Sequence, residues 1–282
     1  MSILSSAATA ERRAETQAPV LRENVGEIVV LTLSRPQARN TLSEEMLAAL
    51  TQALADVGQE QPQEQRVRAV VIAAEGSVFS AGHDLKELMG HRSEGDGGRG
   101  YTQHIMQCCS AMMLSILRLP QPVIAAVEGT ATAAGCQLVA TCDLAVASAA
   151  AKFCTPGTHI GLFCSTPMVA LSRNVGRKHA MEMLLTGDTI TAEDAYRIGL
   201  VNRVVEPGTA RHHALRLAQK ITAKSAAVVK LGKEAFYRQL EMGISDAYAY
   251  AGEVMVQNMM ARDAAEGISA FLEKRAPRWD NR

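Results

Sequence analysis

The chain has 282 residues, with 29 Lys+Arg against 29 Asp+Glu, 48% apolar residues and only 4% aromatic ones. That length fits one large domain, or a core with a smaller appendage. A formal net charge of zero gives no basic surface for nucleic acid, and no apolar run reaches the roughly 18 residues of a membrane span. With so few aromatics, the core has to be built from Ala, Val, Leu, Ile and Met.

Residues 1–22 lack the apolar segment of a secretory signal and mix Arg and Ser with Glu11 and Glu15, so they read as a flexible N-terminal arm. Residues 27–36, EIVVLTLSRP, form a β-branched run stopped by proline, the pattern of a strand. Thr41 and Glu44 then stand at capping-box spacing ahead of a helix whose apolar positions Leu42, Met46, Leu50, Leu54 and Val57 recur with helical period. A second strand, residues 67–76, leads into the Gly-punctuated stretch GSVFSAGHDLKEL. A helix through Ile105, Cys109, Met112, Ile116 and Leu119 ends at Pro120. PVIAAVEG is a third strand, the small-residue turn TATAAG opens another helix, and LAVAS is a fourth strand.

Strand and helix alternate up to about Val205, after which four amphipathic helical segments follow one another. The change of pattern divides the chain into an arm (1–22), a mixed core (23–206) and a helical region (207–282). There is no G-x-G-x-x-G and no G-K-[ST], so neither a dinucleotide nor a P-loop site is indicated. The six cysteines, Cys108, Cys109, Cys136, Cys142, Cys154 and Cys164, include no C-x-x-C and stand near no His at metal spacing; they read as reduced thiols, with no metal. His212 and His213, adjacent on an amphipathic helix, read as a solvated face.

Two stretches share one form: strand, Gly/Ala turn, helix N-terminus. They are VFSAGHDLKEL around Gly82-His83 and VEGTATAAGCQL around Ala134-Gly135. Backbone N–H groups at such turns lack intrahelical partners and present the positive end of the helix dipole. Converging, two of them can hold an anionic oxygen such as an enolate without any side chain. Small residues there serve tight packing equally well, and the residues alone leave both readings open.

Taken together, LSRPQARNTL, VFSAGHDLKEL, VEGTATAAGCQLVATCDLAVAS, KFCTPGTHIGLF, LLTGDTITAEDAYRIGLVNRVV and EGISAFLEKRAPRW resemble the ordered signatures of the crotonase, or enoyl-CoA hydratase/isomerase, superfamily, from about Val25 to the C-terminus. The resemblance implies an α/β fold, a spiral of repeated ββα units followed by a helical trimerisation region. It implies an acyl-CoA ligand, with coenzyme A entering as part of the substrate and no separate cofactor. It implies a homotrimer or dimer of trimers, while the reduced cysteines make the cytoplasm the default compartment, or the mitochondrial matrix if the source is eukaryotic. By the same resemblance the backbone N–H groups of His83 and Ala134 are the donors to the thioester oxygen. Ala81, Gly82, Asp84, Leu85 and Lys86 lie along the adenine and pantetheine, Arg35, Gln37 and Ala38 near the phosphates, and Phe271 and Lys274 reach CoA from a neighbouring subunit.

Four positions depart from the hydratase pattern. The turn is Ala133-Ala134-Gly135 where hydratases of the family usually read Gly-Gly-Gly, and their two glutamates are replaced by Gln137 and Gly157. Hydration needs a base to activate water and an acid for the α-carbon, and losing one such group typically costs about 10²–10⁴-fold. An amide cannot take a proton near neutrality and glycine has no side chain. Ordinary hydration is therefore not expected. The alternatives are a methylmalonyl-CoA-type decarboxylase, which AGHD also resembles, a thioester hydrolase or isomerase, and a non-catalytic acyl-CoA-binding protein. His159, just after the vacant position, and Ser165 and Thr166, which stand where the related chlorobenzoyl-CoA dehalogenases carry a nucleophilic Asp, are secondary candidates; structural readings favour a satisfied histidine, and a helix start at Thr166-Pro167. Glu128 reads as a partner for backbone groups or a subunit contact, Asp143 as a structural residue beside a strand.

Overall fold

Strand side chains project alternately to opposite faces, so a strand apolar at every position must be covered on both sides. That condition organises the whole core. The computed structural model describes residues 18–59 and 67–280. Its main sheet holds β1 (Val20–Val25), β2 (Ile28–Leu33), β3 (Ala69–Ala74), β5 (Val123–Val127), β7 (Leu144–Ser148) and β10 (Arg203–Val205), in that spatial order. β1 is antiparallel to β2 and every other pairing is parallel. A smaller sheet holds β4 (Val78–Ser80), β6 (Thr130–Thr132), β8 (Lys152–Cys154) and β9 (Ile190–Thr191). As β3, β5 and β7 succeed one another in the main sheet, β4, β6 and β8 do so in the small one. Each step is strand, strand, helix: the expected spiral of ββα units.

The alternation sorts residues between two cores. Val29, Leu31, Val70, Ile72, Val123, Ala125 and Ala147 face one side, with Met46, Leu50, Leu54 and Val57 of α1 (Glu44–Gln59) and Ile105, Cys109, Met112 and Ile116 of α3 (Arg99–Arg118). Ile28, Val30, Val71, Ile124 and Val146 face the other. There α8 (Ala210–Thr222) lays down Ala210, Ala214 and Ala218, whose four-residue spacing makes a stripe of small side chains. The remaining helices are α2 (Leu85–Gly90), α4 (Ala134–Thr141), α5 (Pro167–Asn174), α6 (Arg177–Thr186), α7 (Ala192–Arg197), α9 (Ala226–Gln239), α10 (Ile244–Met259) and α11 (Arg262–Leu272).

Several expectations change. Residues 1–17 of the expected arm lie outside the described residues, while Val20–Arg22 belong to β1, which runs alongside β2. The cap of α1 is Ser43, whose hydroxyl accepts from Met46 N–H at 3.2 Å; Thr41 instead donates to Asp84 at 3.3 Å. The division at residue 207 falls just before α8, a helix that shares the core of the main sheet. Glu128 does satisfy backbone: its carboxylate accepts from Gly208 N–H (2.9 Å) and Ala210 N–H (2.5 Å), closing the start of α8.

Asp143 ties α9 to the core. Its Oδ2 accepts from Lys233 Nζ and from Val123 N–H, both at 2.6 Å, and its Oδ1 accepts from Tyr237 at 2.8 Å. Lys233 also donates to the carbonyls of Ile116 and Gln121, each at 2.9 Å. Burial pulls the Lys233 pKa down, against the carboxylate that holds it charged. With side chains only 7% and 13% exposed, neither charge can fall back on water. Removing one partner of a buried pair costs roughly 3–5 kcal/mol. Lys233→Ala is therefore expected to lower the unfolding free energy by about that amount in urea titration, while the exposed pair Arg173–Glu241 is worth less than about 1 kcal/mol when broken.

Candidate active site

Two loops meet where the small sheet ends. Leaving β4, the chain passes Ala81, Gly82 and His83 before Asp84 caps α2, its Oδ1 accepting from Lys86 N–H (2.8 Å) and Glu87 N–H (3.3 Å). Gly82 has φ +84°, a conformation that L side chains rarely adopt, and a Cβ on it would stand 2.9 Å from Ala133 Cβ and 3.1 Å from Ala134 N. Gly135 makes the reciprocal contact, for a Cβ there would lie 2.3 Å from the carbonyl oxygen of Ser80. The first loop is thus seated on the N-terminus of α4 with no side chain between them. Neither the N–H of His83 nor that of Ala134 donates to a backbone carbonyl among the described residues outside the helices and strands.

The first loop is held from behind by the chain before α1. Ala81 N–H donates to Arg39 O (3.0 Å) and Leu42 N–H to Gly82 O (2.7 Å). Asn40, fully buried, accepts from Arg35 N–H through Oδ1 and donates through Nδ2 to the carbonyls of Glu75 and Val78. Asn40 was missed from the sequence. Its signal is chemical: φ +49° suits Asn better than most residues, and a short amide satisfies three backbone groups at once.

The second loop carries strain. Ala133 has φ +51° and ψ −119°, where glycine is at ease and alanine is not. Its N–H donates to Cys154 O at 2.9 Å, fixing the turn to β8.

Gln137 follows one turn along α4. It is 5% exposed, and its Oε1 has no hydrogen-bond partner among the described residues. It forms part of the wall of a cavity of about 1160 Å³ between α3, α4, α5 and α9. The carboxylates of that cavity are Asp143, held by Lys233, Glu241, paired with Arg173 at 3.2 Å, and Glu234, exposed on α9.

Gly157 is buried in a 3₁₀ turn, and a Cβ on it would meet Cys164 Sγ at 3.0 Å, Leu162 O at 3.1 Å and Cys164 N at 3.2 Å. A side chain there would fit only if Cys164 and Leu162 gave way by a few tenths of an ångström. His159 turns away and bonds Thr186 O at 2.8 Å. Pro167 begins α5 as expected, although Thr166 makes no side-chain cap; Ser165 bonds Phe163 O at 3.2 Å. All six cysteines are free, and burial raises the thiol pKa of Cys136, Cys142 and Cys164, that of Cys109 to about 12. No group of three or more His, Cys, Asp or Glu among the described residues could hold a metal.

The His83 ring lies 3.4 Å through Nδ1 from Leu42 O, while Nε2 is buried without a partner. Burial lowers its pKa below the ordinary 6.5, the carbonyl contact opposing only in part. A neutral ring that donates from Nδ1 offers a bare lone pair at Nε2.

The other expected ligand contacts are spread around these loops. Leu85 and Lys86 are exposed at the start of α2. Arg35 is half-buried and paired with Glu45 at 3.2 Å, and Gln37 and Ala38 are exposed in a 3₁₀ turn. Phe271, 82% exposed, lies in the last turn of α11 and Lys274 just beyond its end; α11 packs on α10.

Fold and loops together define a protein of the crotonase kind, and comparison with known sequences agrees. The chain belongs to the enoyl-CoA hydratase/isomerase family, whose model matches residues 23–282. It is 48% identical over 251 residues to the mitochondrial enoyl-CoA hydratase domain-containing protein 3 of Rattus norvegicus, covering 89% of this chain and 81% of that one. A crystal structure of an enoyl-CoA hydratase from Mycobacterium smegmatis is 53% identical, with a TM-score of 0.87 over 93% of this chain and 99% of the other. That of human enoyl-CoA hydratase domain-containing protein 3 is 46% identical, with a TM-score of 0.84 over 93% and 100%. No helix among the described residues is long and apolar enough to cross a membrane.

Three outcomes follow from this geometry. Ala133→Gly relieves strain worth about 1–3 kcal/mol, offset by about 0.4–1 kcal/mol of unfolded-chain entropy, so it raises the midpoint of thermal unfolding; Gly135→Ala, driven into Ser80 O, lowers it. His83 supplies a pH signature. Its folded-state pKa is depressed, so below 6.5 the unfolded chain binds the proton first. Its contribution to stability is complete above pH 6.5 and is lost on acidification toward the lower folded value. In urea titrations across pH 5–8, His83→Gln is expected to remove that component of the acid slope.

Proposed function

We propose that this protein is an acyl-CoA enzyme that stabilises a thioester enolate with the backbone N–H groups of His83 and Ala134 and works without a catalytic carboxylate pair. Decarboxylation of a 2-carboxyacyl thioester suits such a site best. The bond between Cα and the carboxylate breaks, carbon dioxide leaves, and the electron pair moves through Cα to the thioester oxygen, where two N–H donors meet the developing charge. A water then gives Cα its proton, and the hydroxide left behind takes up the carbon dioxide as bicarbonate. This step asks for a preorganised oxyanion site rather than a strong base, and one such donor is commonly worth 10²–10³-fold in rate, about 2.7–4 kcal/mol.

The observation that supports this most is the direct seating of Gly82 on the Ala133-Ala134 turn, beside a Gln137 and a Gly157 that can neither give nor take a proton. His83, neutral through burial, adds a lone pair but no positive charge that would hold the departing carboxylate in place. Gln137 orients a carbonyl or a water. Ala81, Asp84, Leu85 and Lys86 run along the adenine and pantetheine, with Asp84 also capping α2. Arg35, Gln37 and Ala38 lie near the phosphates, and Phe271 and Lys274 serve a neighbouring subunit's CoA in a homotrimer.

The test is mass analysis of CoA esters after incubation with the purified protein, methylmalonyl-CoA and crotonyl-CoA in separate tubes, each with a protein-free control. The expected result is propionyl-CoA from the first and no hydration of the second. Rapid addition of water to crotonyl-CoA would mean an acid/base pair other than the two lost carboxylates and would overturn the proposal. Binding of both esters without turnover would leave a non-catalytic acyl-CoA-binding protein.

A further inference from the structure

Outside the site described above, a thiol, an imidazole and a carboxylate meet between α3 and α1. His104 and Cys108 are four residues apart on α3 and so stack along one side of it. His104 Nε2 lies 3.0 Å from Oε1 of Glu44, the first residue of α1. A carboxylate only accepts, which assigns the ring hydrogen to Nε2 and leaves Nδ1 its lone pair. Cys108 Sγ stands 3.8 Å from Nδ1 and 3.6 Å from Nε2, within reach of a sulfur donor.

A nucleophile beside a base that a third group holds in place is the arrangement that activates a side chain for attack. Cys108 is half-buried and the His104 side chain is 52% exposed, so small reagents reach both. The other five thiols are buried, and burial raises the pKa of Cys109, Cys136, Cys142 and Cys164. On the Glu44 side, Glu87 Oε2 accepts from Glu44 N–H at 3.1 Å and from the Tyr101 hydroxyl at 3.5 Å. Partial burial and the carboxylates of Glu87 and Glu44 push the Tyr101 pKa up to about 12, so the phenol keeps its proton and His104 is left as the base at the thiol.

We infer that Cys108 is a site of reversible thiol modification, forming mixed disulfides with small-molecule disulfides, with His104 as its base and Glu44 as the group that positions His104. The Cys108 proton passes to His104 Nδ1 and Sγ attacks one sulfur of the disulfide. The new Sγ–S bond forms as the S–S bond breaks, and the departing thiolate takes the proton from the imidazolium. Cys108 is oxidised, the released half of the disulfide is reduced, and no further reagent enters. The step draws on nothing in the thioester site. Its test is intact-mass and peptide analysis of the full-length protein kept near neutral pH with glutathione disulfide. The expected product carries one glutathionyl group, on Cys108, and dithiothreitol removes it; Cys108→Ser takes up none. A free thiol is only a few per cent ionised near neutrality, so His104→Gln is expected to slow the addition about tenfold once the lower nucleophilicity of an assisted thiolate is counted. The rate of that variant is also expected to climb steadily into the alkaline range, as for an unassisted thiol.

Addition to a different cysteine first would overturn the inference, as would no addition in a buffer where free cysteine is modified. So would an unchanged rate and pH profile in His104→Gln, checked for folding by its thermal transition, because a merely structural histidine would leave both in place.

Discussion

The contact on which the rest of the structure depends is backbone against backbone: Gly82 on the Ala133-Ala134 turn, and Gly135 against the carbonyl of Ser80. It exists because the spiral lays β4 beside β6, so that the loops leaving the two strands emerge together. Only residues without side chains fit between them. The parallel sheet supports the arrangement from below, Asn40 from behind, and β8 accepts the N–H of Ala133. Ala133 stays in a conformation that costs energy because its neighbours over-determine it.

What the loops can do follows from what surrounds them. Converging N–H groups stabilise negative charge on an oxygen but move no protons. Moving protons takes acid/base side chains, and Gln137 and Gly157 supply none. Gly157 is closely packed, for an added Cβ would meet Cys164 Sγ at 3.0 Å and the Leu162 carbonyl at 3.1 Å. A site so arranged favours reactions in which charge relocates without a strong base, and this is why enolate formation by loss of carbon dioxide fits it better than addition of water.

Much of this was legible in the sequence. The alternating strands, the heptad-like spacing of Met46, Leu50, Leu54 and Val57, and the ordered motifs carried the fold and the two loops. The strands β4, β6 and β8 were not legible, since three residues contain too little periodicity to distinguish a strand from a loop. β1 was hidden because VLRENV is an edge strand with exposed polar residues, stabilised by pairing rather than by burial. The place of α8 was also out of reach: amphipathicity announces a buried face but not which core receives it. Nor could the sequence show that Cys164, seven residues on, closes the space beside Gly157.

The central claim is that the two N–H groups polarise a thioester carbonyl, and the most direct measurement is the infrared stretch of that carbonyl in a bound, isotopically labelled butyryl-CoA. The account requires a shift to lower frequency on binding, greater than that of the same ester in water, because two fixed donors in a buried site weaken the C=O bond more than solvent does. A bound ester whose carbonyl stretch stays at its aqueous position would contradict it.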